Sequence, residues 1–213
     1  MSWLIVGLLL ISGYLIGSIA TGYWLGKALK QIDIREVGSG STGATNVLRT
    51  LGVPYGIFVL VVDVAKGVLA ASLFKLLPVE LANQIPSQWQ SWLIVGTSLA
   101  AILGHSKSIF LNFTGGKSVA TALGVFLAIT PTVGLIALGS FLLVLALTRI
   151  VSLGSIIAAV SLAIFMFVLK EPLAYSLLGL ITSSYVIVRH RSNIERLLNG
   201  SEPKIGQKPQ ENI

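Results

Sequence analysis

The sequence predicts an all-α integral membrane fold: seven transmembrane helices, N-terminus outside, C-terminus cytoplasmic, and an active site at the cytoplasmic face. Three observations carry this. The 213 residues are 54% hydrophobic and 11% charged, with a mean hydropathy of +0.87, so the chain lacks the polar surface that a water-soluble domain of its size displays. Seven apolar runs recur along it. With the N-terminus placed outside, twelve of the fifteen Lys and Arg residues fall on one side, in the loops and tail between Lys27 and Lys208, as cytoplasmic loops require.

The first run, 3–25, has no basic segment ahead of it and is long for a signal peptide, so it reads as an uncleaved span. The others are 55–77, 89–103, 119–130, 132–147, 153–169 and 173–188. The third and fourth, at 15 and 12 residues, fall short of the roughly 20 that a span needs, and their helices are expected to extend into the polar stretch between them. Seven such spans use about 140 residues and leave about 73 for loops and a tail, which excludes a separate soluble catalytic domain. The domain reading is therefore one seven-helix unit over 1–199, followed by a cytoplasmic tail, 200–213, whose Gly, Pro and polar content predicts disorder.

Cysteine is absent, which removes disulfides, thiolate metal sites and thiol nucleophiles. The two histidines and eight acids are scattered, so no metal site is expected. Polar chemistry concentrates instead in four segments on the basic side. In "GSGSTGATN", 38–46, nine consecutive residues are Gly, Ser, Thr, Ala or Asn, which lets backbone amides and hydroxyls approach an anion. A helix starting near Val47 would add its N-terminal dipole, and Arg49 a forked charge. In "TGGKS", 114–118, Gly115 and Gly116 open the backbone beside Lys117. Leu111 stands where a P-loop needs glycine, so this is not one. A lysine at a helix start opposes the dipole, and a bound anion would correct that. Asp63 and Lys66, three apart, read as a neutralising pair on one helix face, and His105, at a helix end, reads equally as a capping or interfacial residue or as a catalytic one.

These segments resemble a known family. "GSGSTGATNVLR" at 38–49, "DVAKG" at 63–67, "GHSKSIFLNFTGGKSVAT" at 104–121, "SLGS" at 152–155 and "RHRSNIERLLNG" at 189–200 are similar, in that order, to the motifs of the bacterial membrane acyl-phosphate:glycerol-3-phosphate acyltransferases. Those enzymes make lysophosphatidic acid in the first step of phospholipid synthesis. The resemblance implies seven spans and a cytoplasm-facing site. It assigns Gly38, Ser39, Gly40, Asn46 and Arg49 to a first phosphate loop, Gly115, Gly116 and Lys117 to a second, and Ser155 to a third. It puts His190 and Asn193 near the glycerol phosphate. It implies acyl phosphate and glycerol 3-phosphate as reactants, membrane lipid as surroundings, the enzyme supplying the acyl phosphate as a further partner, and no cofactor, metal or nucleic acid. The expected place is the bacterial plasma (inner) membrane. The sequence departs from the family pattern at Ser41 and Thr42 (usually Asn-Pro), Lys107 and Ser108 (Phe-Pro), Thr114 (Lys) and Ser118 (Gly).

An acyl phosphate is a mixed anhydride with a good leaving group, so its transfer to a hydroxyl needs positioning and charge neutralisation but no enzyme nucleophile. The expected catalytic residues are Ser39, Lys117 and His190. Lys117 and Ser39 would stabilise charge on the acyl carbonyl and leaving phosphate, Arg49 would clamp the glycerol phosphate, and His190 and Asn193 would orient the glycerol. The base is open between His190 and a phosphate oxygen of the donor. Two other classes compete. An acyltransferase of the HxxxxD type would need an acid five positions after histidine; Phe110 follows His105 and Glu195 follows His190 at that offset, and Glu195 is expected to pair with Arg191 instead. A small transporter or channel for a phosphorylated anion would also use a basic mouth, but should have polar groups on both sides of the midplane.

Overall fold

Breaks in the apolar pattern set the helix boundaries. In the computed structural model, which describes residues 3–206, the first run splits at Ile19 and Ala20 into α1 (Trp3–Ser18) and α2 (Thr21–Lys30). After a glycine-rich loop come α3 (Ala44–Leu51) and α4 (Val53–Ser72), the latter with Pro54 in its first turn, where its missing N–H costs nothing. A 3-10 turn at Leu73–Leu76 and a short α5 (Val79–Ala82) lead to α6 (Ser87–Ser106). Then follow α7 (Val119–Ile129), α8 (Pro131–Thr148) with proline at its start, α9 (Val151–Val168), α10 (Leu173–Arg189) and the amphipathic α11 (Arg191–Leu198). Among the described residues there is no β-strand, only an isolated bridge between Ser108 and Thr114.

Every apolar run of the sequence thus becomes helix, and four segments are long and apolar enough to cross a membrane: Trp3–Lys30, Val53–Leu76, Pro131–Thr148 and Val151–Val168. Val119–Ile129 and Leu173–Arg189 are shorter apolar helices. The third run does lengthen into the polar stretch, reaching Ser106. The fourth does not. Ser118 takes a left-handed conformation (φ 62°) and its hydroxyl donates to the Ile102 carbonyl at 2.7 Å, so 115–118 remain a loop against the end of α6. The first phosphate loop also differs from expectation: its helix begins at Ala44, not Val47, because Gly43 is the N-cap.

Small residues set the helix packing, as they do where lipid removes the hydrophobic drive for helices to meet. A Cβ on Gly13 would press on the Thr97 backbone and one on Gly17 on Ala101, bringing α1 against α6. Between α4 and α7 the fit is reciprocal: Gly67 lies on the Thr121 carbonyl, and Gly124 on the Val64 carbonyl. The central core is Val125, Phe126, Val133, Met166 and Leu178, while Leu8, Ile57, Leu143 and Phe167 are more than half exposed, a distribution suited to lipid. The expected free tail is partly held: 201–205 run back along the bundle and the Ile205 amide donates to the Arg149 carbonyl at 2.8 Å. Residues 207–213 of that expectation lie outside the described residues.

Replacing Gly124 by Val should drive α4 and α7 apart. We expect about 1–3 kcal/mol of overpacking, read as a lower Tm in detergent, with Gly139→Ala on α8, which meets no neighbour, unchanged.

Candidate active site

Asn46 builds the first loop. It is 1% exposed, and its Nδ2 donates to the carbonyls of Ile34, Val37 and Ser41, each at 2.9 Å, while its Oδ1 accepts from the Ser39 amide at 2.9 Å. Closing so tight a ring requires left-handed backbone at Gly38 (φ 62°) and Gly40 (φ 67°), and a Cβ on Gly38 would strike the Asn46 amide oxygen. Gly38, Gly40 and Asn46 therefore shape the loop without lining the main cavity. Ser39 and Arg49, which they position, do line it.

The second loop is anchored from below. The Gly116 amide donates to the His105 carbonyl at 3.1 Å, and the Gly116 carbonyl accepts from Arg189 Nη2 at 3.0 Å. Gly115 lies so close to the His105 carbonyl that a side chain there would collide. Lys117 is thereby held out from the loop, where its ammonium donates to Asn193 Oδ1. The departures from the family pattern have local partners. Thr114 Oγ1 accepts from Arg35 Nη1 at 2.9 Å, tying this loop to the first, and a lysine there would face Arg35 with like charge. Ser108 donates to the Ser18 carbonyl at 2.7 Å.

Sequence reasoning missed the group that joins the four segments. Glu202, in the expected tail, is 8% exposed. Its Oε1 accepts from Asn193 Nδ2 at 2.6 Å and Ser152 Oγ at 2.7 Å, and its Oε2 from Arg196 Nε at 2.7 Å. The next carbonyl, of Pro203, accepts from Arg49 at 3.2 Å. Burial raises the Glu202 pKa, but hydrogen bonds from Ser152, Asn193 and Arg196 outweigh it and hold the carboxyl below its ordinary range. The ion pair expected between Glu195 and Arg191 is not formed; among the described residues Arg196 pairs with Glu202 instead. An acid six residues beyond Arg196, in a segment read as tail, was the available signal.

Ser39, Arg49, Lys117, Ser155, His190 and Asn193 line one cavity of about 670 Å³. Its mouth is cationic and hydroxylated, and it continues as an apolar channel between α4, α7, α8 and α9, walled by Leu60, Leu123, Leu138, Phe141 and Leu162. Burial lowers the Lys117 pKa to about 8, against the pull of Glu202 and with Arg196, Arg189 and Arg49 adding to the fall. Burial likewise lowers His190 to about 4. His190 Nδ1 lies 2.8 Å from the Val186 carbonyl, which can only accept, so Nδ1 carries the proton and the Nε2 lone pair is free. A neutral acceptor thus stands beside two cations, an arrangement able to seat an anion and a hydroxyl together.

Inside the bundle, Lys66 Nζ meets Asp63 Oδ1 at 2.8 Å, as the spacing predicts, but also His105 Nδ1 at 2.7 Å and the Ile19 carbonyl at 3.0 Å. His105 is therefore a buried partner of Lys66 and not a cap.

A sequence model of the family described as glycerol-3-phosphate acyltransferase matches residues 7–200. A protein named glycerol-3-phosphate acyltransferase from Rippkaea orientalis is 58% identical over 209 residues, covering 98% of this chain and 96% of its own length. The chain is also similar to two crystal structures of PlsY (YgiH), an integral membrane glycerol 3-phosphate acyltransferase. Its glycerol 3-phosphate form is 40% identical, with a TM-score of 0.84 over 94% of this chain and 96% of that one. Its lysophosphatidic acid form is 38% identical, with a TM-score of 0.81 over 94% and 95%.

Removing the Glu202 carboxylate should loosen all four segments at once. For Glu202→Ala we expect a loss of about 1–3 kcal/mol, read as a Tm roughly 2–10 °C lower in detergent, with Glu195→Ala close to wild type.

Proposed function

The chain belongs to the glycerol-3-phosphate acyltransferase family, and from that premise we propose that it transfers an acyl chain from acyl phosphate to the sn-1 hydroxyl of glycerol 3-phosphate. The products are lysophosphatidic acid and inorganic phosphate. One observation carries the reading: a single cavity joins a cationic, hydroxyl-lined mouth to an apolar channel, so a phosphorylated head and a hydrocarbon tail find their solvents in one place. The basic side of the chain supports the finer topology of seven spans, with the N-terminus outside and the mouth at the cytoplasmic face of the bacterial inner membrane. The acyl donor enters from the bilayer, and the enzyme that supplies it is the expected partner.

Glycerol 3-phosphate binds with its phosphate toward Arg49. His190 Nε2 accepts from the glycerol, and Asn193, already bound to Lys117 and Glu202, fixes the position of that ammonium. The donor lies with its chain in the channel and its phosphate toward Lys117, Ser39 and the amides of the second loop. The sn-1 oxygen attacks the acyl carbon, the ester bond forms, and the bond from that carbon to the phosphate oxygen breaks with its electron pair leaving on phosphate. A base as weak as His190, with a pKa of about 4, is poorly matched to removing an alcohol proton near neutrality. A phosphate oxygen of the donor takes the proton, and His190 orients. Charge neutralisation by Lys117 at the leaving group supplies the larger share of the acceleration.

The first test is acylation of labelled glycerol 3-phosphate by the purified protein, with palmitoyl phosphate and palmitoyl-CoA compared. Turnover is expected with the acyl phosphate alone, and Lys117→Ala should lower kcat/KM by about 10²–10³. Activity with palmitoyl-CoA alone, or with neither donor, would sink the proposal.

Protonation of Lys117 adds a second expectation. Its ammonium is present below its pKa of about 8 and is lost as pH rises through that value, so kcat/KM should fall above pH 8. A bound phosphate favours the charged form, so the alkaline limb of kcat should lie at higher pH. Coincident limbs in the two profiles would show that Lys117 does not meet phosphate.

A further inference from the structure

Asp63, Lys66 and His105 have no part in the mechanism above. They are 2%, 4% and 7% exposed, in a place where an ionisable group is costly and marks function by default. The Lys66 ammonium has three hydrogens and no lone pair, and it meets three acceptors: Asp63 Oδ1, His105 Nδ1 and the Ile19 carbonyl. His105 Nδ1 faces two groups: the Asp63 carboxylate at 3.4 Å, which can only accept, and the Lys66 ammonium at 2.7 Å, which can only donate. The much shorter contact makes Nδ1 the acceptor and puts the ring proton on Nε2.

That Nε2 lies under the second glycine loop. A Cβ on Gly116 would fall on His105 Nε2, so glycine is what lets the imidazole lie directly beneath the loop that carries Lys117. Among the described residues Nε2 meets no acceptor, and Asp63 and His105 both line the cavity. Asp63 lies between Leu60 and Val64 of the channel wall in the chain, and His105 lies against Gly116, next to Lys117 of the mouth, so the pair marks the junction of mouth and channel. An acyl head is the part of a donor that occupies such a junction. A fixed donor aimed at developing charge is how acyl-transfer sites stabilise a transition state.

We propose that His105 Nε2–H donates a hydrogen bond to the acyl carbonyl oxygen of the donor and is a catalytic residue for the transfer, with Lys66 and Asp63 as the positioning residues that fix its tautomer and orientation. The inference rests on the acyl-phosphate reading. His105 exchanges no proton: the sn-1 hydroxyl proton still leaves on phosphate, and the imidazole keeps its own while negative charge rises and falls on the carbonyl oxygen.

Wild-type turnover with palmitoyl phosphate separates the two levels, since its absence would overturn the reading and not this inference. Given turnover, His105→Ala should lower kcat about 10²–10³-fold with KM for glycerol 3-phosphate within about twofold. His105→Gln, which keeps an N–H at similar reach, should recover at least about tenfold of that loss. A folded His105→Ala that keeps its kcat, or a glutamine variant no better than alanine, overturns the proposal. If neither variant folds, the unaltered protein decides. The chain has two histidines, so ¹⁵N-histidine labelling gives two imidazoles, and Nε2 of His105 should carry the proton and shift when a non-hydrolysable palmitoyl phosphonate is added. A ring protonated on Nδ1, or one that the phosphonate leaves unmoved, overturns the proposal as surely.

Discussion

A lysine ammonium inside an apolar bundle must find three acceptors or not be there, and Lys66 finds them on three different elements. Asp63 is one turn away on α4, His105 is on the last turn of α6, and the Ile19 carbonyl is exposed where α1 gives way to α2. The break between α1 and α2 frees a carbonyl that an unbroken helix would have used, and the lysine takes it. Removing any acceptor would leave a buried charge short of a partner, so the relative placement of α1, α4 and α6 is bound to one nitrogen. Because α6 ends at His105 and Ser106, that placement also sets where the glycine loop starts.

From there the dependence runs outward. The His105 carbonyl receives the Gly116 amide, Arg189 closes the other side of Gly116, and Lys117 is left pointing at Asn193. Asn193 is turned by Glu202, which also holds Ser152 and Arg196. Cations gathered for an anionic substrate repel one another while the site is empty. The Glu202 carboxylate, itself on the cavity wall, offsets that repulsion while its oxygens are committed to three donors. Preorganisation of this kind is what allows a site without a nucleophile to stabilise charge at little reorganisation cost.

How much of this could be read from residues alone depends on the range of the cause. Helix positions followed from apolar runs, because that signal is local. The pairing of Asp63 with Lys66 was legible for the same reason, at three residues apart. His105 was not, since its partner lies 39 residues away and no periodicity announces it. The resemblance put Asn46 in the first phosphate loop, but composition did not announce that it also closes that loop, through the carbonyls of Ile34, Val37 and Ser41 and the Ser39 amide. Glu202 was hidden by its neighbours. Gly200, Ser201 and Pro203 are what a disordered segment contains, and the single carboxylate that anchors it has value only beside Arg196, Asn193 and Ser152, which come from two separate segments. The start of α7 was misjudged because length argued for extension, whereas the Ser118 hydroxyl supports a left-handed residue that ends it.

The same economy explains why the fold can be so small. A soluble acyltransferase must bind a tail, hide it from water and supply a nucleophile or base. In the mechanism we propose, the bilayer solvates the tail, the channel between α4, α7, α8 and α9 has only to admit it, and the mixed anhydride brings both its leaving group and an oxygen able to take the proton. What remains for the protein is to hold two phosphates and one carbonyl in register. In the proposed mechanism, three donors do that: Arg49 on α3, Lys117 on the second loop, and the His105 imidazole beneath Gly116. Asn46, Glu202 and Lys66 brace these groups through buried hydrogen bonds to the Ser39 amide, Asn193 and His105.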